Sequence, residues 1–394
     1  MASPGSAEEK RRHAVDEGLQ MFRDLVGRHG NWFAQPTRQK VAQYAWGARE
    51  SSSCQNWKER CPRPGKEGDY WLRFFKTDHD IPGAPQPANE REKFLAAFAL
   101  SIVNLNAKVK QGAWFHTVLI RLSEMEELVG LSHDDLCVAF EDLVMIVAVS
   151  LGVQSALCAL DRPATFPTLP PISGGQPPRR TVDSWTRRVR HPENTRMPVV
   201  LAGDTKPGFA PADSPEAWAA TQVSASFKPF SGPTITPENL AVMLKLAHLF
   251  YMPATSVGKP TLFGASKLPE GRFLSRASME MVAGAAAGAV AFVSAPVDRE
   301  ELRAARTAIE SADGAAVAVD AVLVASFFQV ITRVVDANDH KMTAFATTLL
   351  SVLMRVDGLL KAAQRNRRVI GGVVGTVVVA GAAAVLAARA ARRQ

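Results

Sequence analysis

Between residues 28 and 76, ten lysines and arginines are interleaved with Trp32, Phe33, Tyr44, Trp46, Trp57, Tyr70, Trp71, Phe74 and Phe75. Cations alternating with flat rings can grip single-stranded nucleic acid, with charge on the phosphates and rings under the bases. Arg63, Lys66, Arg73 and Lys76 are the candidate phosphate contacts of this segment. The same composition also suits a structural role, in which the rings anchor a loop-rich region to a helical body and the charges solvate it.

A second cluster is made only of arginine: Arg179, Arg180, Arg187, Arg188 and Arg190, with Trp185 among them. On a helix starting near residue 182, Arg187 and Arg190 would share one face with Arg188 beside them. Guanidinium groups suit close contact with phosphate, so this element could line a phosphate-tracking groove. The alternative is a linker kept soluble by its charge.

Other chemistries find less footing. No nucleophile elbow, Walker loop, HExxH pair or dinucleotide fingerprint occurs. Cys54 and Cys61, with His79 beyond them, match no common zinc spacing, and Cys137 and Cys158 fall in an apolar run. No catalytic residue, metal ligand or cofactor is therefore assigned, and a non-enzymatic role is expected.

The charge map points the same way. The net charge of +8 divides into +6 over residues 28–76, +5 over 162–196 and +7 over 361–394, leaving −10 for the rest. Basic segments on an acidic body suit polyanions, either nucleic acid or anionic lipid. With 47% hydrophobic and 21% charged residues the chain is globular in composition. Four cysteines in 394 residues exclude a disulfide scaffold and suit a reducing compartment.

The elements that must position these residues read as helices. Val15, Leu19, Phe22 and Leu25 give an apolar face over residues 7–27, and Pro36-Thr37 opens a second helix. Residues 51–88, rich in Pro and Gly, read as loop. Helices are expected at 90–109, capped by Asn89, at 113–129, and at 133–160, capped by Ser132. The last contains eighteen uncharged residues, long enough for a membrane span but better suited to a buried core helix, given Ser150, Gln154 and Ser155. Residues 161–235, with six prolines between 163 and 178, read as a long linker. Beyond it, helices are expected from 236 and at 273–294, 297–312, 315–335 and 338–364. The fold class is all-α: an N-terminal region (1–88), a helical lobe (89–160), a Pro/Arg-rich linker (161–235), a second lobe (236–366) and an apolar tail (367–394).

In that tail, residues 369–388 carry no charge and have arginines on both sides. Val369, Val378 and Leu386 supply apolar bulk, while Gly371 and Gly375 form a GxxxG pair that permits close helix approach. Its seven valines favour lipid, whereas its glycines and alanines contribute little apolar area. The tail is either a membrane anchor or an arm packed against a neighbouring subunit.

Two helical lobes, a basic segment between them and extended ends resemble, in layout, helical viral nucleocapsid and coat proteins. The resemblance implies RNA held along a positive groove, self-assembly through terminal arms, and a cytoplasmic or virion location. The competing expectation is a tail-anchored membrane protein whose arginines meet anionic lipid. A third is a helical scaffold that offers its prolines at 167–178 as a ligand.

Overall fold

The computed structural model describes residues 7–53, 67–104, 112–172, 174–179, 186–189, 199–202, 237–251, 275, 277–278, 281 and 299–338. All of these belong to a first compact unit, residues 1–341, and the second unit, 342–394, lies outside the described residues. The expected helix at 338–364 and the tail residues Val369, Gly371, Gly375, Val378 and Leu386 therefore also lie outside them, as does nearly all of the helix expected at 273–294.

The fold is all-α. Its helices are α1 (Ala7–Val26), α2 (Gln35–Ala48), α3 (Glu67–Lys76), α4 (Glu90–Asn104), α5 (Ala113–Ser123), α6 (His133–Ala159), α7 (Pro237–Leu246), α8 (Arg299–Asp313) and α9 (Ala315–Ala337). A π-helical turn, Ala247–Tyr251, extends α7. Local chemistry starts several of these helices where the sequence suggests. The Ser132 hydroxyl accepts the Asp135 N–H at 3.1 Å, and Asn89 Oδ1 accepts the Glu92 N–H at 3.0 Å. Glu92 reaches back to the Ala88 N–H, closing the turn from the other side.

One region corrects its expectation. Residues 67–76, read as loop, form α3, because Tyr70, Trp71, Phe74 and Phe75 fall on one helical face and bury it. Asp69, Arg73 and Lys76 are left exposed on the other face.

α6 is the central strut. It packs against α1, α2, α4, α5, α8 and, most extensively, α9. Helices from both sides of the linker thus share one hydrophobic core, the expected lobes meeting along α6 and α9. Gly152 permits that approach, since a Cβ there would sit 2.3 Å from Val330 Cγ2. By length and composition α6 and α9 could each cross a membrane, yet 94% and 72% of their most apolar windows are buried inside the protein. Three polar contacts of α6 are made inside the protein. Gln154 donates to the Trp46 carbonyl at 2.7 Å, Arg49 to Ser155 Oγ at 2.6 Å, and Ser150 to the Ile146 carbonyl at 2.7 Å. Burial pushes Arg49 down to about 10.

Two further α6 groups are ionisable. Asp142 receives the Arg38 guanidinium, with Nη1 2.6 Å from both carboxylate oxygens. The neighbouring Glu141 carboxyl is held at about 8 by burial, against the opposing effect of Asn338 and with Asp142 adding to it.

Two outcomes follow. Glu141 is neutral at pH 7 when folded but ionised when unfolded, so the folded state binds the extra proton between its ordinary value of 4.5 and about 8. Stability should therefore fall as pH rises through that window, by up to about 1.4 kcal/mol per unit, and Glu141→Gln should flatten the slope in urea unfolding from pH 5 to 8. Arg38→Ala should cost about 3–5 kcal/mol by leaving Asp142 charged and buried, and the double variant Arg38→Met/Asp142→Leu should recover most of that loss.

Candidate nucleic-acid interface

α1 ends in a turn that the core fixes from below. Trp32 and Phe33 are buried at 2% and 0% exposure, and the Gly30 N–H donates to the Phe33 carbonyl at 2.9 Å. The Gln35 N–H donates to His29 Nδ1 at 3.1 Å, joining the turn to the start of α2. Arg28 stands exposed at the crest.

The proline-rich segment, read as linker, lies along this region instead of hanging free. Phe166 packs edge-on against both Phe22 and Trp46, and Trp46 Nε1 donates to the Ala164 carbonyl at 2.7 Å. Gln39 and Gln35 donate to the Pro170 and Pro171 carbonyls at 3.1 and 2.9 Å. The segment ends at Arg179, whose N–H donates to the Asn31 carbonyl at 2.9 Å with φ at +52°. The exposed Arg179 is thereby tied to the same turn as the exposed Arg28.

Beyond Arg179, only part of the arginine cluster is described. Thr186–Val189 forms a strand (β1) paired antiparallel with Val199–Ala202 (β2), setting Arg187 opposite Leu201 and Arg188 opposite Val200. Residues 186–189 thus take a strand where a helix from about 182 would have gathered Arg187 and Arg190 on one face. Arg180, Trp185 and Arg190 lie outside the described residues, as do Arg63, Lys66 and Trp57. Arg73 and Lys76 occupy the last turn of α3 and are exposed, three residues apart. α3 packs against α4 and α5, whereas Arg179 is tied to the turn after α1.

The stacking platform is overturned. Trp32, Phe33, Tyr44, Trp46, Tyr70, Trp71, Phe74 and Phe75 are all buried in the core. Their spacing reflects helix faces turned inward, which alternation with cations imitates in a sequence. Three of the expected cations are also spent internally: Arg38 on Asp142, Lys40 on Glu92, and Arg49 on Ser155. His79 is used likewise, with Nε2 donating to the Phe74 carbonyl at 2.9 Å. Among the described residues no three His, Cys, Asp or Glu side chains are grouped to hold a metal, and Cys54 and Cys61 lie outside them.

What remains is a division among the cations. Arg11, Arg91, Lys93, Arg121, Arg162, Arg299, Arg303, Arg306 and Arg333 each pair with an acid of the body. Among the described side chains, Arg23, Arg28, Arg73, Lys76, Arg179 and Lys245 form no ion pair. Four of these six belong to the first two basic segments. Arg28 was not singled out among the sequence candidates, because the contact that brings Arg179 to its turn spans about 150 residues and leaves no local signal.

Comparison with protein-family models, curated proteins and solved structures finds no match.

Because the four exposed cations hold nothing internally, replacing Arg28, Arg73, Lys76 and Arg179 together by Ala should cost less than about 1 kcal/mol in urea unfolding. The helix dipole at the end of α3 accounts for most of that. A loss above about 2 kcal/mol would make them structural.

Proposed function

We propose that this chain is a non-enzymatic protein that coats single-stranded nucleic acid, RNA foremost, and self-assembles as it does so. The observation that carries the reading is the division of the cations. The body neutralises its own arginines, while Arg28, Arg73, Lys76 and Arg179 face solvent without an acid partner. An acidic body presenting unneutralised cations suits a polyanion of repeating charge, which gains affinity by releasing counterions at several phosphates at once. With the aromatic rings buried, the grip rests on phosphate contact and carries little base preference. A cytoplasmic or virion location and the likeness to nucleocapsid proteins belong to the same proposal.

Membrane attachment through residues 369–388 is the competing reading, and it draws on sequence alone. α6 and α9 lend it little, since their apolar faces are spent on each other.

The test is RNA binding by full-length protein freed of nucleic acid with nuclease, followed by fluorescence anisotropy on a labelled oligouridine across a salt series. Changing Arg179, Arg180, Arg187, Arg188 and Arg190 to Ala should lower the log–log salt slope by about 3.5, at roughly 0.7 per phosphate contact. An unchanged slope overturns the role of the arginine segment. Flotation with anionic vesicles, without RNA binding, would favour the membrane reading.

A further inference from the structure

The proline-rich segment is held in a way that does not depend on which chain supplies it. Its six prolines between 163 and 178 have no N–H to donate and favour an extended, preorganised backbone. Three hydrogen bonds run from side chains of α2 to strap carbonyls, Trp46 to Ala164, Gln39 to Pro170 and Gln35 to Pro171, while Arg162 of the strap pairs with Asp16 of α1. Phe166 fills the aromatic corner made by Phe22 and Trp46. Gly27 leaves room for the Pro170 ring, since a Cβ there would lie 2.8 Å from Pro170 Cγ. The groove is thus a recognition site for an extended proline-rich segment.

The strap leaves α6 at a single turn point. The Asp161 N–H donates to Cys158 and the Arg162 N–H to Leu157, which together form a left-handed helix stop with Asp161 at φ +54°. Glycine usually occupies that position. Here a carboxylate stands at the negative end of the helix dipole, at a positive φ that aspartate adopts more readily than most side chains. Arg303 and Arg306 hold that carboxylate at 3.1 and 2.7 Å, and the contacts are exposed. A short turn that sets a carboxylate against the helix dipole and holds it by exposed ion pairs is suited to opening. At the other end, the 34 residues 203–236 between β2 and α7 have a contour length of about 110 Å, enough for the path into α7 to allow more than one groove.

We propose that the occupant of this groove in the assembled protein is the strap of a second copy of this chain. Opening at Asp161 frees residues 162–172 to dock on the α1–α2 groove of a neighbour. The four residues from Asp161 to Ala164 reach only about 13 Å, so the neighbour's groove must lie beside the end of α6, next to α8. This extends the self-assembly part of the proposed function and is independent of RNA contact.

The experiment uses two full-length chains with different affinity tags, in which Cys54 and Cys61 are replaced by Ser. One chain carries Gln39→Cys and the other Pro170→Cys. They are co-expressed, treated with nuclease and cross-linked with a short bismaleimide. A control pair lacks both introduced cysteines, and a single chain carrying both changes reports the closed form. Strap exchange predicts a two-chain product retained by both tags and absent from the control. Assembled particles whose only cross-link lies within the doubly substituted chain overturn the exchange and leave nucleic-acid coating standing. A protein that stays monomeric at all concentrations overturns exchange and self-assembly together. Should Pro170→Cys fold poorly, the exposed Thr168 serves in its place. Independently, Asp161→Pro cannot adopt the left-handed turn and should raise the dimeric fraction several-fold in light scattering, whereas an unchanged fraction counts against the hinge.

Discussion

The ion pair between Arg38 and Asp142 is the constraint on which the surface chemistry rests. Both residues are buried, and the guanidinium spends its remaining donors on the Leu25 carbonyl at the end of α1, at 2.8 and 3.3 Å. One side chain on α2 therefore fixes the end of α1 against the middle of α6. Taking both charges out of water is costly, and a well-packed apolar pair could hold the helices as firmly. What the ionic pair adds is direction. Arg38 can satisfy Asp142 and Leu25 together only if the three helices keep one relative placement. The turn between α1 and α2 inherits that placement, and with it the Asn31 carbonyl that receives Arg179.

The same logic separates two uses of arginine. Arg11 reaches from α1 to Asp320 on α9 and to the Leu249 and Phe250 carbonyls of the π-helical turn. A π turn breaks the regular bonding of a helix, and here a guanidinium takes up the carbonyls that are left over. Arg303 and Arg306 restrain the end of α6 through Asp161. These arginines are structural because each faces a carboxylate of matching geometry. Arg28 and Arg179 belong to the same residue type and have no such partner, which leaves their fork-shaped donors to solvent or to a ligand.

Much of the fold was legible in the sequence because its signals are local. Ser132 and Asn89 cap the helices that follow them, and the apolar run of α6 is a core helix because its few polar groups bond inward. α3 escaped notice because prolines and glycines on both sides suggested loop, while its aromatic face was credited to base stacking. A ring buried by helix periodicity and a ring offered to a base look alike in a sequence, and only burial separates them. The strap was misread for a related reason. Closely spaced prolines break helix and strand interiors, which reads as linker, yet a segment poor in N–H groups can still be held by side chains that donate to its carbonyls. Those donors, Gln35, Gln39 and Trp46, lie more than a hundred residues away.

The strap sets the position of Arg179. Arg179 reaches the turn that carries Arg28 because the strap before it is docked on α1 and α2. Whichever copy supplies the strap therefore also supplies Arg179. If the strap crosses to a neighbour, the paired cations are completed by two chains, and a polyanion bound there bridges them. Part of the acidic body is turned inward, since Asp320, Asp142 and Asp161 are committed to arginines of their own.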